Sequence, residues 1–358
     1  MVADDPPLVA CILAGGIGSR LYPLSRPEQP KQLLELGAEQ TLLERTLART
    51  DPIADEQIVV TTATLETAVR ERVEAATVLL EPTARGTGPA AVYAAWRLAE
   101  RGESCVLVTL PSDHHIQHDA AFTRTLEYAA TVAHETGSLV TLGIEPTRTE
   151  TAFGHIVPGA PLGGGTSHER EEERANTRRV DRFHEKPDYA TARALETEGA
   201  RWNAGIFAWT PQALLRAARD TPLAPMLEAL EDGDSLVNAF EAVDPVSVDR
   251  GVLERTEDVV VVDLPATVGW DDMGTWDAIG RVGSDAPGLS RDDAGNVTLD
   301  TDLRTVEARD NVIVAPDKTV TAIGIDDLVV AAVDDHLVIV PRAEAARIGD
   351  VVGDEPPE

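Results

Sequence analysis

Along the first part of the chain, short apolar runs alternate with longer stretches whose apolar positions recur three and four residues apart. Residues 8–13, 57–61, 77–80, 105–110 and 139–144 are strand-length and rich in Val, Ile and Leu, whereas helix patterning covers 41–50, 65–75, 88–100 and 120–135. Strands buried on both faces read as continuous apolar runs, and parallel neighbours need a helix-length crossover. The alternation therefore predicts an α/β fold, a mostly parallel sheet covered by helices on both faces. Further strands are predicted at 180–183 and 205–209, with Asp188 capping a helix that runs to Gly199. Between Gly159 and Arg178 the pattern gives way to glycine and charge, including Glu171, Glu172 and Glu173. An exposed hairpin loop or insertion without a catalytic role is expected there.

After Gly288 the period changes. Short strands are predicted at 296–299, 305–307, 312–314, 319–323, 328–333 and 337–340, and no amphipathic helix intervenes before Arg342. This predicts a small all-β domain of a few β-helix-like coils, although the spacing is too irregular to fix the repeat. A chain of 358 residues exceeds the usual single core. The expected division is a catalytic domain over 1–287 and a small β-rich domain over 288–358.

Composition narrows the possible partners. Sixty-two acidic against 31 basic residues give a formal net charge of −31, spread along the chain. Such a surface repels phosphodiester backbones and anionic lipid, so neither nucleic acid nor membrane is expected as a partner. The dispersed acid excess is that of a salt-adapted protein, and a halophilic source is expected. Residues 1–7 lack the basic start and apolar stretch of a signal peptide, and no apolar run approaches the roughly 18 residues of a membrane span. Cys11 and Cys105 each lie in an apolar run, where buried reduced thiols are expected. A cytoplasmic location follows.

Candidate chemistry begins directly after the first strand. Leu13, Ala14, Gly15, Gly16, Ile17, Gly18, Ser19 and Arg20 form a glycine-rich turn whose backbone N–H groups can line a phosphate-binding concavity. No Gly-Lys-Ser/Thr ending follows, and Leu21 replaces the third glycine of the dinucleotide fingerprint. Pro23, Pro27 and Pro30 prevent a regular helix from running on from Gly18. The segment must stay extended, presenting Arg20, Arg26 and Lys31 along a stiffened path suited to a triphosphate. On these residues alone, an ordinary strand-to-helix turn with incidental surface cations remains open.

The run LAGGIGSRLYPLSRPEQPKQLLEL resembles the signature of the sugar-1-phosphate nucleotidyltransferase family, and its PLSR and PKQ portions resemble the mannose-1-phosphate guanylyltransferase branch. Similar motifs follow in order over nearly the whole chain: EPTARGTGPA, LPSDHHI, GIEPTRTETAFGHI, FHEKP, WNAGIFAW and VGWDDMGTW. The resemblance implies a Rossmann-like, GT-A-like nucleotidyltransferase domain that joins GTP to mannose 1-phosphate, giving GDP-mannose and pyrophosphate with Mg2+ as cofactor.

It also implies roles for particular residues. Lys31 lies near the α-phosphate and Arg20 on the leaving pyrophosphate. Asp113, at the carboxyl end of a strand where parallel sheets bind ligands, and Asp272 hold the metal. Leu13, Ala14, Gly15, Gly16, Gly18, Glu81, Gly86 and Thr87 bind the nucleotide, with Glu81 accepting the two adjacent N–H donors of guanine. Gly154, Glu185, Lys186 and Asn203 bind the sugar phosphate. The sequence departs from the family pattern at Gly86, where Asn is usual, and at Tyr22, where Trp is common.

Competing readings carry their own signals. His114, His115 and His118 suggest zinc, but no acid or thiol spacing supports it. A UTP- or dTTP-dependent enzyme acting on glucose 1-phosphate would keep the same mechanism. A silent regulatory homologue would not need Arg20, Lys31, Asp113 and Asp272 together. The C-terminal segment is too short for an isomerase domain, and His336 is its single histidine. A structural or oligomer-forming role is expected for it, and a homodimer is left open.

Overall fold

The computed structural model describes residues 6–102, 104–162 and 176–352. The chain divides into two compact units, one made of residues up to Gly15, Arg49–Pro111 and His118–Val268, the other of Gly16–Ala48, Ser112–Gln117 and residues from Gly269 onward.

The first unit is built on a nine-stranded sheet. In chain order its strands are β1 (Leu8–Leu13), β2 (Glu56–Thr62), β3 (Thr77–Glu81) and β4 (Val106–Pro111), then, after the two-residue β5 (His114–His115) of the other unit, β6 (Leu139–Ile144), β7 (His155–Pro161), β8 (Thr177–His184), β9 (Arg201–Trp209) and β10 (Val259–Asp263). The spatial order is β3-β2-β1-β4-β9-β6-β10-β8-β7. Parallel pairing joins β3, β2, β1 and β4, and separately β6 and β10, while β8 and β9 run against the rest. The predicted α/β sheet is present, with β9 inserted antiparallel at its centre.

Both faces of β1 are covered, since Val9, Ala10, Cys11 and Ile12 are all buried. On one side the helix Thr87–Glu100 lays down Ala90, Ala91, Ala94 and Ala95, whose small side chains permit close approach to Val9, Cys11, Ile58 and Val60. Burial pushes the Cys11 thiol up to about 12, so it is held as an unreactive thiol. The Asp188 carboxylate accepts the Thr191 N–H at 2.8 Å and opens the helix Tyr189–Thr197, as the sequence predicts.

Three elements depart from the sequence pattern. The helix predicted over 65–75 shrinks to Glu66–Arg70, where Val69 is the one buried residue, with Leu65 and Val73 buried on either side before the chain extends into β3. The expected loop over 159–178 is framed by β7 and β8, a hairpin whose arms the sequence left unread beyond 180–183; Glu171, Glu172 and Glu173 lie outside the described residues. Between β9 and β10 three short helices, Pro211–Ala218, Ala224–Glu231 and Leu236–Glu241, complete the core with Leu214, Met226, Leu230 and Phe240.

The second unit pairs β5 with β11 (Asp271–Asp272) and contains the C-terminal coils. These are β12 (Leu289–Arg291), β13 (Val297–Leu299), β14 (Asp302–Val306), β15 (Val312–Val314), β16 (Thr319–Ile323), β17 (Leu328–Val333) and β18 (His336–Pro341). β13, β15 and β17 stack in parallel, as do β14 and β16, which is the β-helix-like arrangement expected. Inside the coils Ile313, Ala308 and Ala322 pack together. On the outer face of the longer stack Val297, Val312, Val314 and Val329 share a core with Leu21, Leu24, Leu34, Trp276 and Ile348. Residues on both sides of position 287 thus contribute to one apolar cluster.

Candidate active site

In the second unit, Lys31 follows Pro30 into a 3-10 turn, and its N–H donates to the Ile17 carbonyl at 3.0 Å. That turn leaves no room for a side chain at position 18, where a Cβ would lie 2.5 Å from the Lys31 Cβ; Gly18 also has φ +82, a conformation glycine adopts at no steric cost. Lys31 is only 5 % exposed. Its ammonium lies 2.5 Å from Asp113 Oδ2 and 3.2 Å from Asp272 Oδ1. Burial works against its charge, but the two carboxylates outweigh burial and raise its pKa.

Asp113 directly precedes β5 and Asp272 lies on β11, where antiparallel pairing sets Asp272 opposite His114. The Gly274 N–H donates to Asp272 Oδ1 at 2.9 Å. Burial opposes ionisation of Asp272, yet Lys31, His114 and Arg20 hold its carboxyl well below the usual carboxylate range. The neighbouring Asp271 points to different work, meeting Arg281 through both oxygens at 2.8 and 3.1 Å. The structure thereby separates two adjacent aspartates that residue type alone could not. Ligand atoms of Asp113, His114 and Asp272 lie within 4.8 Å of one another, a grouping able to hold a metal ion. Two carboxylates suit a hard divalent cation, which takes oxygen ligands. His114 Nδ1 accepts a hydrogen bond from Trp270 Nε1 at 3.1 Å.

Arg20 is exposed, and its stem packs near Gly349 of the C-terminal helix Ile348–Val352. The rest of the signature segment is tied to the coils: the Tyr22 hydroxyl meets His336 Nδ1 at 2.7 Å, and Arg26 pairs with Asp334 at 2.6 Å.

In the first unit the sequence-predicted residues form two groups. At the carboxyl ends of β1 to β3, Ala14 donates its N–H to Val60 and accepts from Thr61 Oγ1, which fixes the start of the glycine-rich turn after Leu13. A Cβ on Gly15 would stand 3.0 Å from Glu81 Oε1, whereas nothing lies within 4 Å of one on Gly16. Glu81 is 5 % exposed, and its Oε2 has no hydrogen-bond partner among the described residues. Burial pushes its carboxyl up to about 8. Gly86 opens the helix Thr87–Glu100, and Thr87 Oγ1 accepts the Val248 N–H at 3.0 Å, so its hydroxyl braces the fold locally.

The second group surrounds Gly154. A Cβ there would meet Glu185 Oε2 at 2.7 Å and the Phe183 ring at 3.1 Å, so only glycine leaves this carboxylate in place. Glu185 Oε1 pairs with the Lys186 ammonium at 3.0 Å, and the Glu185 N–H donates to Glu254 Oε1 at 2.8 Å. Asn203 donates its backbone N–H to the Gly154 carbonyl at 2.8 Å. Its side-chain carbonyl accepts from Thr141 Oγ1 and the Gly205 N–H, which directs its amide N–H to Asp249 Oδ1 at 2.7 Å. Asp249, in the sequence VSVDRGVLER, carried no motif, and sequence reasoning missed it.

A glycine-rich turn after the first strand, a buried lysine between two carboxylates and further carboxylates at strand ends are the features of an α/β enzyme that works on phosphate groups. The chain belongs to the nucleotidyl transferase family, whose model matches residues 9–287. It is 31 % identical to a mannose-1-phosphate guanylyltransferase of Salmonella muenchen, over 96 % of this chain and 72 % of that protein. It is 34 % identical to the alginate biosynthesis protein AlgA of Pseudomonas aeruginosa, over 97 % of this chain and 72 % of the relative. A solved structure from Thermus thermophilus, described as a mannose-1-phosphate geranyltransferase, matches with a TM-score of 0.84 and 33 % identity, over 96 % of this chain and 98 % of its own.

Proposed function

We propose that this protein transfers GMP from GTP to mannose 1-phosphate, releasing pyrophosphate. The convergence of Lys31, Asp113 and Asp272 carries the reading, together with its relatives. The reaction needs no protein nucleophile. A sugar-phosphate oxygen attacks the α-phosphorus in line and pyrophosphate leaves, so positioning and charge compensation lower the barrier.

Lys31, already desolvated between two carboxylates, offers a fixed cation for the α-phosphate, and Arg20 takes the pyrophosphate. Asp113 and Asp272 would hold Mg2+, which when bound neutralises phosphate charge and polarises the α-phosphate. Backbone N–H groups from Leu13 to Gly18 cradle the nucleotide, and Gly86 and Thr87 also contribute to binding it. Glu81 reads the base: guanine's adjacent N–H donors would satisfy its unpartnered oxygen and favour its ionised form. Gly154 leaves room for the sugar ring, Glu185 and Asn203 hydrogen-bond its hydroxyls, and Lys186 meets its phosphate.

The catalytic region is taken as 1–287, in keeping with the matched span of 9–287, and 288–358 as the small β-rich domain. Among the described residues no helix is long and apolar enough to cross a membrane. We place the enzyme in the cytoplasm of a salt-adapted cell, without nucleic acid or membrane partners, and a homodimer is the association to look for.

The test is pyrophosphate release by purified protein in high salt with Mg2+, pairing GTP, UTP and dTTP with mannose 1-phosphate and glucose 1-phosphate. Release with GTP and mannose 1-phosphate alone is expected. Turnover with another pair would move the specificity, and none with any pair, in folded protein, would overturn the reading in favour of a silent nucleotide-sugar-binding homologue.

A further inference from the structure

Asp249 sits at the start of a π-helical turn, Asp249–Leu253, a wider turn than an ordinary helix makes. The turn is firmly seated. Val248, Val252 and Leu253 are buried in the main core, and the Val248 N–H is held by Thr87 Oγ1. Glu254, directly after the turn, accepts the Glu185 N–H, so one short segment places both Asp249 and the backbone of Glu185.

Asp249 is half-buried, and few protein donors reach its carboxylate. Besides the Asn203 amide and its own backbone N–H, Asp249 has no hydrogen-bond donor among the described residues, although a carboxylate can accept about four. Burial, followed by the charge of Glu185, pushes its carboxyl up to about 6. The nearby Lys186 ammonium is bonded to Glu185 Oε1 at 3.0 Å. The half-buried Asp249 carboxylate therefore keeps acceptor capacity open toward a ligand or water. Asn203 cannot turn its carbonyl toward Asp249 without losing both Thr141 Oγ1 and the Gly205 N–H.

We infer that Asp249 is a second hydroxyl-accepting carboxylate of the sugar subsite, working beside Glu185 and Asn203 to select the hexose. The inference rests on the proposal that the Gly154, Glu185 and Asn203 cluster binds the sugar. Two carboxylates and one amide N–H present an acceptor, acceptor and donor set, which matches neighbouring hydroxyls on a ring. Sugar O–H groups supply the donors that Asp249 lacks.

The experiment is steady-state kinetics of wild type, Asp249→Asn and Asp249→Ala with GTP and mannose 1-phosphate, then with its 2-, 3- and 4-deoxy analogues. Asp249→Asn is isosteric and can still accept from Asn203, so it carries the test if the alanine variant fails to fold. The expected result is a rise in KM for mannose 1-phosphate of about 10- to 100-fold, with kcat and the KM for GTP within about twofold. With the analogue lacking the recognised hydroxyl, wild type and Asp249→Asn should converge. An unchanged KM, an equal penalty on every analogue, or a matching rise in the KM for GTP would each overturn the assignment. If wild type prefers another hexose 1-phosphate, the deoxy series of that sugar is used, so an error in the sugar's identity stays distinct from an error about Asp249.

Discussion

Adjacent aspartates show how much a single side chain's neighbours decide. Asp272 meets Lys31 and the Gly274 N–H, whereas Asp271 meets Arg281 twice. Asp272→Asn should lower kcat/KM by about 100-fold or more with little change in unfolding, while Asp271→Asn should keep activity and lose about 1–3 kcal/mol of stability. Paired activity and urea-unfolding measurements separate the two, and a reversed pattern would sink the assignment. Glu81 gives a pH test. Its carboxyl is raised to about 8 in the folded chain, so it holds its proton to higher pH folded than unfolded. Its contribution to stability is complete below its ordinary pKa of 4.5 and is lost as pH rises through about 8. Between about pH 5 and about pH 9, wild type should therefore lose more stability than Glu81→Gln; parallel losses would show that the carboxyl ionises freely. Glu81 could be singled out from the sequence because it opens the motif EPTARGTGPA, but its burial could not be read there. Asp249 was illegible altogether, since its partner Asn203, and the Thr141 that orients Asn203, lie on β9 and β6, far away in sequence.

Among the elements, the C-terminal coils are held by devices that hydropathy does not display. Asn311 donates its backbone N–H and a side-chain N–H to Asn296 Oδ1, donates again to the Ile325 carbonyl, and accepts the Leu328 N–H, all from a fully buried position. Asn296 in turn bonds the Ala308 carbonyl, so two stacked asparagines close successive coils. Asn311→Leu strands those backbone groups and should cost at least about 1–3 kcal/mol, measured as a drop in the urea midpoint; an unchanged midpoint would mean that water substitutes for the ladder. The coils turn their corners at Asp300, Asp310, Asp317, Asp327 and Asp334, all with positive φ, a region aspartate tolerates better than most residues. The repeat eluded the sequence pattern because it is uneven. Val297 pairs with Val312 and Val312 with Val329, fifteen and then seventeen positions on. The strands of the α/β sheet were easier to find, because burial on both faces leaves long apolar runs.

At the scale of the whole molecule the acid excess dominates. A formal net charge of −31 destabilises the compact state through self-repulsion, which salt screens. The melting temperature should rise as KCl is increased from about 0.1 M toward molar concentration, where the Debye length falls to about 3 Å. A flat or falling response would remove the case for salt adaptation. The chain passes between its two units at Gly15–Gly16, Ala48–Arg49, Pro111–Ser112, Gln117–His118 and Val268–Gly269. All of these passages except Ala48–Arg49 lie in or beside one of the family motifs, so single motifs contribute side chains to different units.

The sequence by itself determined the α/β alternation, the coil-forming tail, the family and a set of charged candidates for phosphate chemistry, because these depend on local period, residue type and motif order. The family resemblance singled out Asp272 over Asp271, but only tertiary structure decided that Asp272 meets Lys31, that Glu81 is buried with an unpartnered oxygen, that Thr87 braces the backbone at Val248, and that Asp249 stands beside Asn203. These depend on contacts between residues distant along the chain, and the energy of a polar group is set by what surrounds it, not by its own identity.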